Sequence, residues 1–190
     1  DGIVADLYSK YQLLAFGEYF PGTENNPKLK AFVEKIVPAV SHFARGEGPK
    51  VFTYNNTIKI GPQVCYEGLD PLYVKGAHDN GAHMFINVTN DSWFGQTFEP
   101  YQHMHMTLAR AIEFRRPLLR STNTGMTSAI TASGQILETS KVGEKKGYFY
   151  TIPLYSQPSK TIYAKSASLL PYFLLVIWLV FSFMIRRKED

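Results

Sequence analysis

The chain has 190 residues, 45% of them hydrophobic and only 19% charged, with a net charge of +4; this is the make-up of one globular domain carrying an apolar appendage. The small positive charge comes without a long basic run, which argues against a nucleic-acid partner. Cys65 is the single cysteine, so there is no internal disulfide, and with neither a CxxC pair nor a Cys/His cluster no metal site or other cofactor is expected.

Asp1 to Ala5 has no initiator methionine and no signal-like stretch, and the chain reads as beginning in mid-domain. Leu7 to Pro21 is rich in aromatics and reads as an extended segment running into a loop at Gly17, carrying Lys10 and Glu18 on the way. By residue type Lys10 is a solvated surface residue; beside a catalytic thiol, a lysine instead stabilises a thiolate or a developing oxyanion. A polar turn over 22–27 leads into a helix over 27–40, with Leu29, Phe32, Val33 and Ile36 at helical spacing. After a loop over 41–49, a strand over 51–54 turns at Asn55-Asn56, a pair that tolerates positive φ, into a second strand.

The rest of the chain is organised around the end of that second strand. Thr57 to Ile60 alternates polar and apolar, and Val64 continues the extended run to Cys65. Gly68-Leu69-Asp70-Pro71 reads as a turn in which Asp70 caps a helix and Pro71 takes its first position. Cys65 therefore stands at a strand-to-helix elbow, held rigidly yet reachable, as a candidate nucleophile; the plainer reading of a lone cysteine is a small buried hydrophobe. Glu67, two residues on, points to the same side if the chain stays extended.

A helix over 71–80 and an apolar strand over 84–89 follow, then a polar loop over 90–95 containing Trp93. Trp93 reads either as loop packing or, if beside Cys65, as an apolar wall suited to an acyl chain. The next helix, 99–116, has an apolar face of Met104, Leu108, Ala111 and Ile112 and is stopped by Pro117. His103 and His105 are two apart, point to different helix faces and read as ordinary polar residues, not metal ligands. Strands over 118–121, 126–131, 136–139 and 147–153 complete an α/β domain with a mixed sheet, followed by a polar linker over 154–166.

Ala167 to Ile185 holds no charge and as a helix is about 28 Å long, close to the hydrocarbon thickness of a bilayer, so a transmembrane helix is expected over 167–185. Arg186-Arg187-Lys188 outweighs Lys160 and Lys165 on the other flank, which predicts a cytoplasmic tail over 186–190 and an extracytoplasmic domain.

Four motifs carry a family resemblance: Tyr8-Ser9-Lys10 with Phe16-Gly17-Glu18-Tyr19-Phe20-Pro21; Val64-Cys65-Tyr66-Glu67; Asn87-Val88-Thr89-Asn90-Asp91-Ser92-Trp93-Phe94-Gly95; and Arg110-Ala111-Ile112-Glu113 with Arg116-Pro117-Leu118-Leu119-Arg120-Ser121-Thr122-Asn123-Thr124-Gly125. In this order they resemble the apolipoprotein N-acyltransferases, bacterial membrane enzymes of the nitrilase or CN-hydrolase superfamily that complete lipoprotein maturation. The resemblance implies an αββα sandwich facing the periplasm from the inner membrane, of which residues 1–153 are the C-terminal part, and a Glu-Lys-Cys triad. On that resemblance Cys65 is the nucleophile and Lys10 the triad lysine; Glu18 and Glu67 are supporting acids, and Tyr66 and Trp93 line the thioester pocket.

The implied reaction moves a fatty acyl chain from a membrane phospholipid, through a Cys65 thioester, to the N-terminal amine of the diacylglyceryl-cysteine of an apolipoprotein. The triad's base glutamate and the family's membrane bundle are expected in a part of the domain preceding these residues, so the chain alone is expected to be inactive and, with an exposed sheet edge, poorly soluble. Ala15 stands where the family usually has proline, and Ser166-Ala167-Ser168 replaces its usual polar lead-in to the last helix. Two other readings stay open: a membrane-tethered amidohydrolase, in which water resolves the thioester, and a non-catalytic or split-protein fragment.

Overall fold

The computed structural model describes residues 6–37, 41, 43–95, 97–155 and 161–189. The expectations placed on 1–5, 38–40, Lys160 and Asp190 lie outside the described residues.

Helix α1 (Pro27–Ile36) opens on Asn26, whose side chain accepts from the Leu29 N–H, and ends at Val37, before Pro38. It is shorter than the expected 27–40, and of its apolar residues only Val33 is buried, while Phe32 and Ile36 are each 60% exposed. Helical spacing was legible there; a core-facing stripe was not. Strands β1 (Phe52–Tyr54) and β2 (Ile58–Val64) form the expected hairpin, with Asn55 and Asn56 both left-handed at φ 47° and 56°. Helix α2 (Pro71–Asp79) then leads to β3 (Met84–Thr89), and α3 (Glu99–Phe114) to β4 (Leu118–Thr122). β5 (Ser128–Ile130) and β6 (Ile136–Thr139) close the sheet.

The strands lie in sequence order, β1-β2-β3-β4-β5-β6, with β2, β3 and β4 parallel and the other neighbours antiparallel: a mixed sheet, as the alternation of strands and helices predicts. Alternate residues separate its faces. Gly61 and Gln63, Phe85 and Asn87, Leu118 and Arg120 are buried on the face that meets α2 and α3, where Val74, Ala77, Met104, Ala111 and Phe114 complete the core. Gly61 lets α2 close in, since a Cβ there meets Ala77 Cβ and Phe85 Cδ1 at 3.1 Å. On the opposite face Met84 and Ala129 are buried, but Ile60, Pro62 and Ile86 are only half-buried and Val88 is exposed. One sheet with helices on one face is therefore what the described residues form.

Several expectations are corrected. Residues 147–153 form no strand; Tyr148 and Tyr150 stack on each other and Phe149 is exposed, an extended run with no neighbour to pair with among the described residues. In α3, Met104 and Ala111 are buried as expected but Ile112 is exposed, and the helix ends two residues early, at Phe114, capped by Arg115 in the left-handed region (φ 50°). The linker over 154–166 contains helix α4 (Ile162–Ser166), whose Ala164 is buried in the core and whose Tyr163 packs edge-on against Phe114. Thr161 fastens it by donating to the Glu113 carbonyl and accepting from the Ala164 N–H at 2.9 Å. Ala167, expected to begin the apolar helix, is instead the buried C-cap of α4, and the last helix, α5 (Leu170–Glu189), starts three residues later with Pro171 in its first turn. Among the described residues no helix is long and apolar enough to cross a membrane, so the span expected over 167–185 is not shown.

Candidate active site

Cys65 lies where β2 ends. Val64, the last ladder residue, pairs with Val88, and the chain then turns through Cys65 with a left-handed backbone (φ 54°) into a 3-10 turn over Cys65–Leu69. A non-glycine residue pays roughly 1–2 kcal/mol for that conformation, so the surroundings must hold it. They do so on both sides: the Val64 N–H donates to Glu67 Oε2 at 2.7 Å, and Asn87 Nδ2 donates to the Cys65 carbonyl at 3.1 Å. Gly68 follows under a close approach, because a Cβ there falls 2.9 Å from Asn87 Nδ2 and 3.0 Å from Thr107 Cγ2. Asp70 then caps α2 as expected, accepting from the Leu72 and Tyr73 N–H groups at 2.8 and 3.2 Å, with Pro71 in the first helical position.

Because the chain leaves the extended form at Cys65, Glu67 does not share its side. Glu67 is fully buried, and its oxygens accept from Val64 N–H, from Tyr11 N–H at 2.7 Å, from Gln12 N–H at 3.0 Å and from the Tyr8 hydroxyl at 2.7 Å. The carboxylate thus fastens the segment carrying Lys10 to the elbow carrying Cys65. Gln12 adds a second tie, Nε2 to Asp70 Oδ2 at 2.6 Å. Tyr8 and Tyr73 share a hydrogen bond beside Glu67; burial, then Tyr73 and Glu67, push the Tyr8 phenol well above its ordinary value, and burial and the Glu67 charge push Tyr73 up against the opposing pull of its Tyr8 hydrogen bond, so both stay neutral donors.

Lys10 is not the solvated lysine of the plainer reading. Its side chain is 11% exposed, and Nζ donates to both oxygens of Glu18 at 2.7 and 2.6 Å, while Leu14 N–H donates to Glu18 at 2.8 Å. Phe16, left-handed at φ 66°, and the bridge between Ala15 and Tyr19 form the tight loop that returns Glu18 to Lys10. Tyr66 and Trp93 are both exposed, Trp93 at 77%. A recess of about 710 Å³ lies elsewhere, between residues 6–9 and 45–50, and its lining includes neither Cys65 nor Lys10.

Behind the elbow lies a cluster that residue patterns had left unassigned. Arg120 and Asp91, both with wholly buried side chains, form an ion pair with Nη2 to Oδ2 at 2.8 Å. Arg120 Nη1 also donates to Asn87 Oδ1 at 2.7 Å, and His103 Nδ1 stands 3.2 Å from Asp91 Oδ1. Burial alone would raise the Asp91 pKa, but the His103 hydrogen bond and the Arg120 charge outweigh it and hold the carboxyl below its ordinary value. Burial lowers Arg120, with Asp91 opposing, and burial raises Glu99. His103 is thus a buried partner of Asp91, not an ordinary surface polar group. Asp91, Glu99 and His103 bring three ligand atoms within 4.8 Å of one another, but Arg120 already neutralises Asp91, which makes the group a poor cation site. The signal was present in Leu118-Leu119-Arg120: a cation at the inward register of a strand requires a buried anion.

A profile of the carbon-nitrogen hydrolase family matches residues 1–153, and the chain belongs to that family, whose α/β fold is of the nitrilase kind. Within it the chain is similar to apolipoprotein N-acyltransferases. It is 52% identical over 141 residues to that of Bdellovibrio bacteriovorus, an alignment covering 73% of this chain and 25% of the relative. It is 33% identical over 193 residues to apolipoprotein N-acyltransferase 2 of Treponema denticola, covering 100% of this chain and 36% of the relative. The chain thus spans a quarter to about a third of the length of these curated relatives. Among solved structures, a mutant of the Nesterenkonia AN1 amidase from the nitrilase superfamily aligns with a TM-score of 0.48 and 21% identity, over 72% of this chain and 46% of that one.

Proposed function

We propose that this chain is the nucleophile-bearing part of a membrane acyltransferase that carries a fatty acyl group from a phospholipid, by way of Cys65, to the N-terminal amine of a diacylglyceryl-cysteine on an apolipoprotein. The observation that carries the proposal is the fastening of the Lys10–Glu18 pair to the Cys65 elbow through Glu67. In the first step the Cys65 thiolate attacks the ester carbonyl, and the tetrahedral oxyanion collapses to a thioester as the lysophospholipid oxygen leaves and takes a proton. In the second, the free amine attacks the thioester, an amide forms, and the amine proton is lost as the thiolate departs. Lys10 supplies positive charge for the oxyanion.

Neither nearby glutamate is free to act as base. Glu67 is occupied by its backbone and tyrosine donors and Glu18 by Lys10, so the proton acceptor belongs to another part of the polypeptide. The half-covered sheet face around Ile86 and Val88 is where the second sheet of an αββα sandwich packs. Tyr66 and Trp93 line the acyl site once both substrates are bound, their exposed rings supplying apolar surface. Helix α5, with exposed apolar residues from Leu170 to Ile185, enters the bacterial inner membrane with its C-terminus cytoplasmic and the domain periplasmic.

The test is to give the full-length protein, in membranes, a phospholipid with a labelled acyl chain. A hydroxylamine-sensitive label, absent in Cys65→Ala and passed to a diacylated lipopeptide, is the expected result. A label that decays only to free fatty acid makes the protein a hydrolase, and no label in the intact protein ends the proposal.

A further inference from the structure

We infer that Arg120, Asp91 and Asn87 form an internal brace that positions the Cys65 elbow, with Asn87 a positioning residue for thioester formation; this rests on the acyl-transfer reading above. Asn87 touches the nucleophile's own backbone, donating from Nδ2 to the Cys65 carbonyl at 3.1 Å. Its amide is oriented from the other end, because Arg120 Nη1 donates to Oδ1 at 2.7 Å and a flipped amide would turn its NH₂ toward the guanidinium. Arg120 is held in turn by Asp91 at 2.8 Å, and Asp91 by His103 at 3.2 Å. The Asp91 backbone N–H donates to Asn123 Oδ1 at 3.0 Å, which ties in the turn that carries Trp93. The brace therefore gathers β3, β4, α3 and the 3-10 turn over Asp91–Phe94 onto one carbonyl.

A buried ion pair is a weak source of stability, since well-packed apolar residues of the same volume serve as well or better. What it supplies here is direction. Cys65 sits in an intrinsically disfavoured backbone conformation, and the elbow is held at its entrance by Glu67 on Val64 N–H and at its exit by Asn87 on the Cys65 carbonyl. Asn87 lies against Gly68, where a Cβ would fall 2.9 Å from its Nδ2, so the absence of a side chain at 68 lets the amide reach the elbow.

Asn87→Asp tests the brace, because it keeps the size and the Arg120 partner but presents a carboxylate that cannot donate to the Cys65 carbonyl. In the full-length protein in phospholipid–detergent micelles, kcat for thioester formation should fall about 10–100-fold with KM for phospholipid unchanged, as expected for a displaced nucleophile. Alkylation of Cys65 by iodoacetamide should slow in parallel, with the unfolding midpoint close to that of the parent. Arg120→Lys, which keeps the charge but not the planar fork, should lower the same two rates. Parental alkylation and kcat in a folded Asn87→Asp, or a loss confined to the unfolding midpoint, overturns the brace, and Asn87→Asp decides the matter if Arg120→Lys fails to fold. If the parent forms no thioester and alkylation still slows in Asn87→Asp, the acyl-transfer reading fails and the positioning role stands.

Discussion

Cys65, the proposed nucleophile, sits in a backbone conformation that its side chain disfavours, and two substitutions separate the two properties. Both Cys65→Gly and Cys65→Ala should abolish thioester formation, but glycine accepts φ 54° freely. Cys65→Gly should therefore be more stable than Cys65→Ala by about 1 kcal/mol in urea unfolding, and equal midpoints would mean the elbow is not strained. Glu67→Gln replaces an acceptor-only group with one that presents an NH₂ to donors already aimed at it. It should cost at least about 1–3 kcal/mol, and in addition loosen the Lys10 segment, read as faster amide exchange at Tyr11 and Gln12. Asp91 is lowered below its ordinary value in the folded state, so its contribution is present above the unfolded carboxylate pKa of ~3.9 and disappears as pH falls through the folded value. Stability measured from pH 5 down to 2 should fall less steeply in Asp91→Asn than in the parent. That variant should also be weaker by about 3–5 kcal/mol at neutral pH, because it strands the buried Arg120 charge.

Among the elements, α2 was the most legible, because its signals are local: Asp70 and Pro71 fix where it begins whatever lies around it. Asp70→Ala should lower the unfolding free energy by about 1–2 kcal/mol, losing both cap bonds and the Gln12 contact. The Asn55-Asn56 hairpin, β3 and β6 were legible for the same reason, each bounded by residues that favour turns. Residues 147–153 were not, since alternation establishes that a segment suits a strand and says nothing of a partner. Helix α1 shows the same limit for helices: Phe32 and Ile36 have core spacing and solvent exposure. At the site, Cys65 stood out by its type and its place at the end of a strand, whereas Lys10 and Glu18 were singled out only by the family resemblance. The Arg120–Asp91–Asn87 cluster escaped because its members lie on three elements, and only the parallel register of β3 and β4, Asn87 opposite Arg120, brings them together.

For the molecule as a whole, the proposed function requires that the domain remain with the membrane. Alkaline carbonate should leave the full-length protein in the pellet through α5 and its companions, and replacing Leu174, Leu175 and Leu179 by aspartate should reduce retention of the C-terminal segment when it is fused to a soluble reporter. Retention unchanged by three aspartates would mean α5 is not inserted. The joint between α4 and α5 decides how such a helix transmits position. Ser166 accepts from Leu169 N–H at 2.8 Å, Leu169 from Phe173 N–H at 3.0 Å, and the α4 side of the joint is pinned into the core by Ala164 and Tyr163. With so little slack between the domain and α5, the connection behaves as a bracket instead of a leash. On the proposed function, the height and tilt of the Cys65 sulfur above the lipid headgroups would then be set by the fold, and the two substrates, free to diffuse sideways, would have to travel to it.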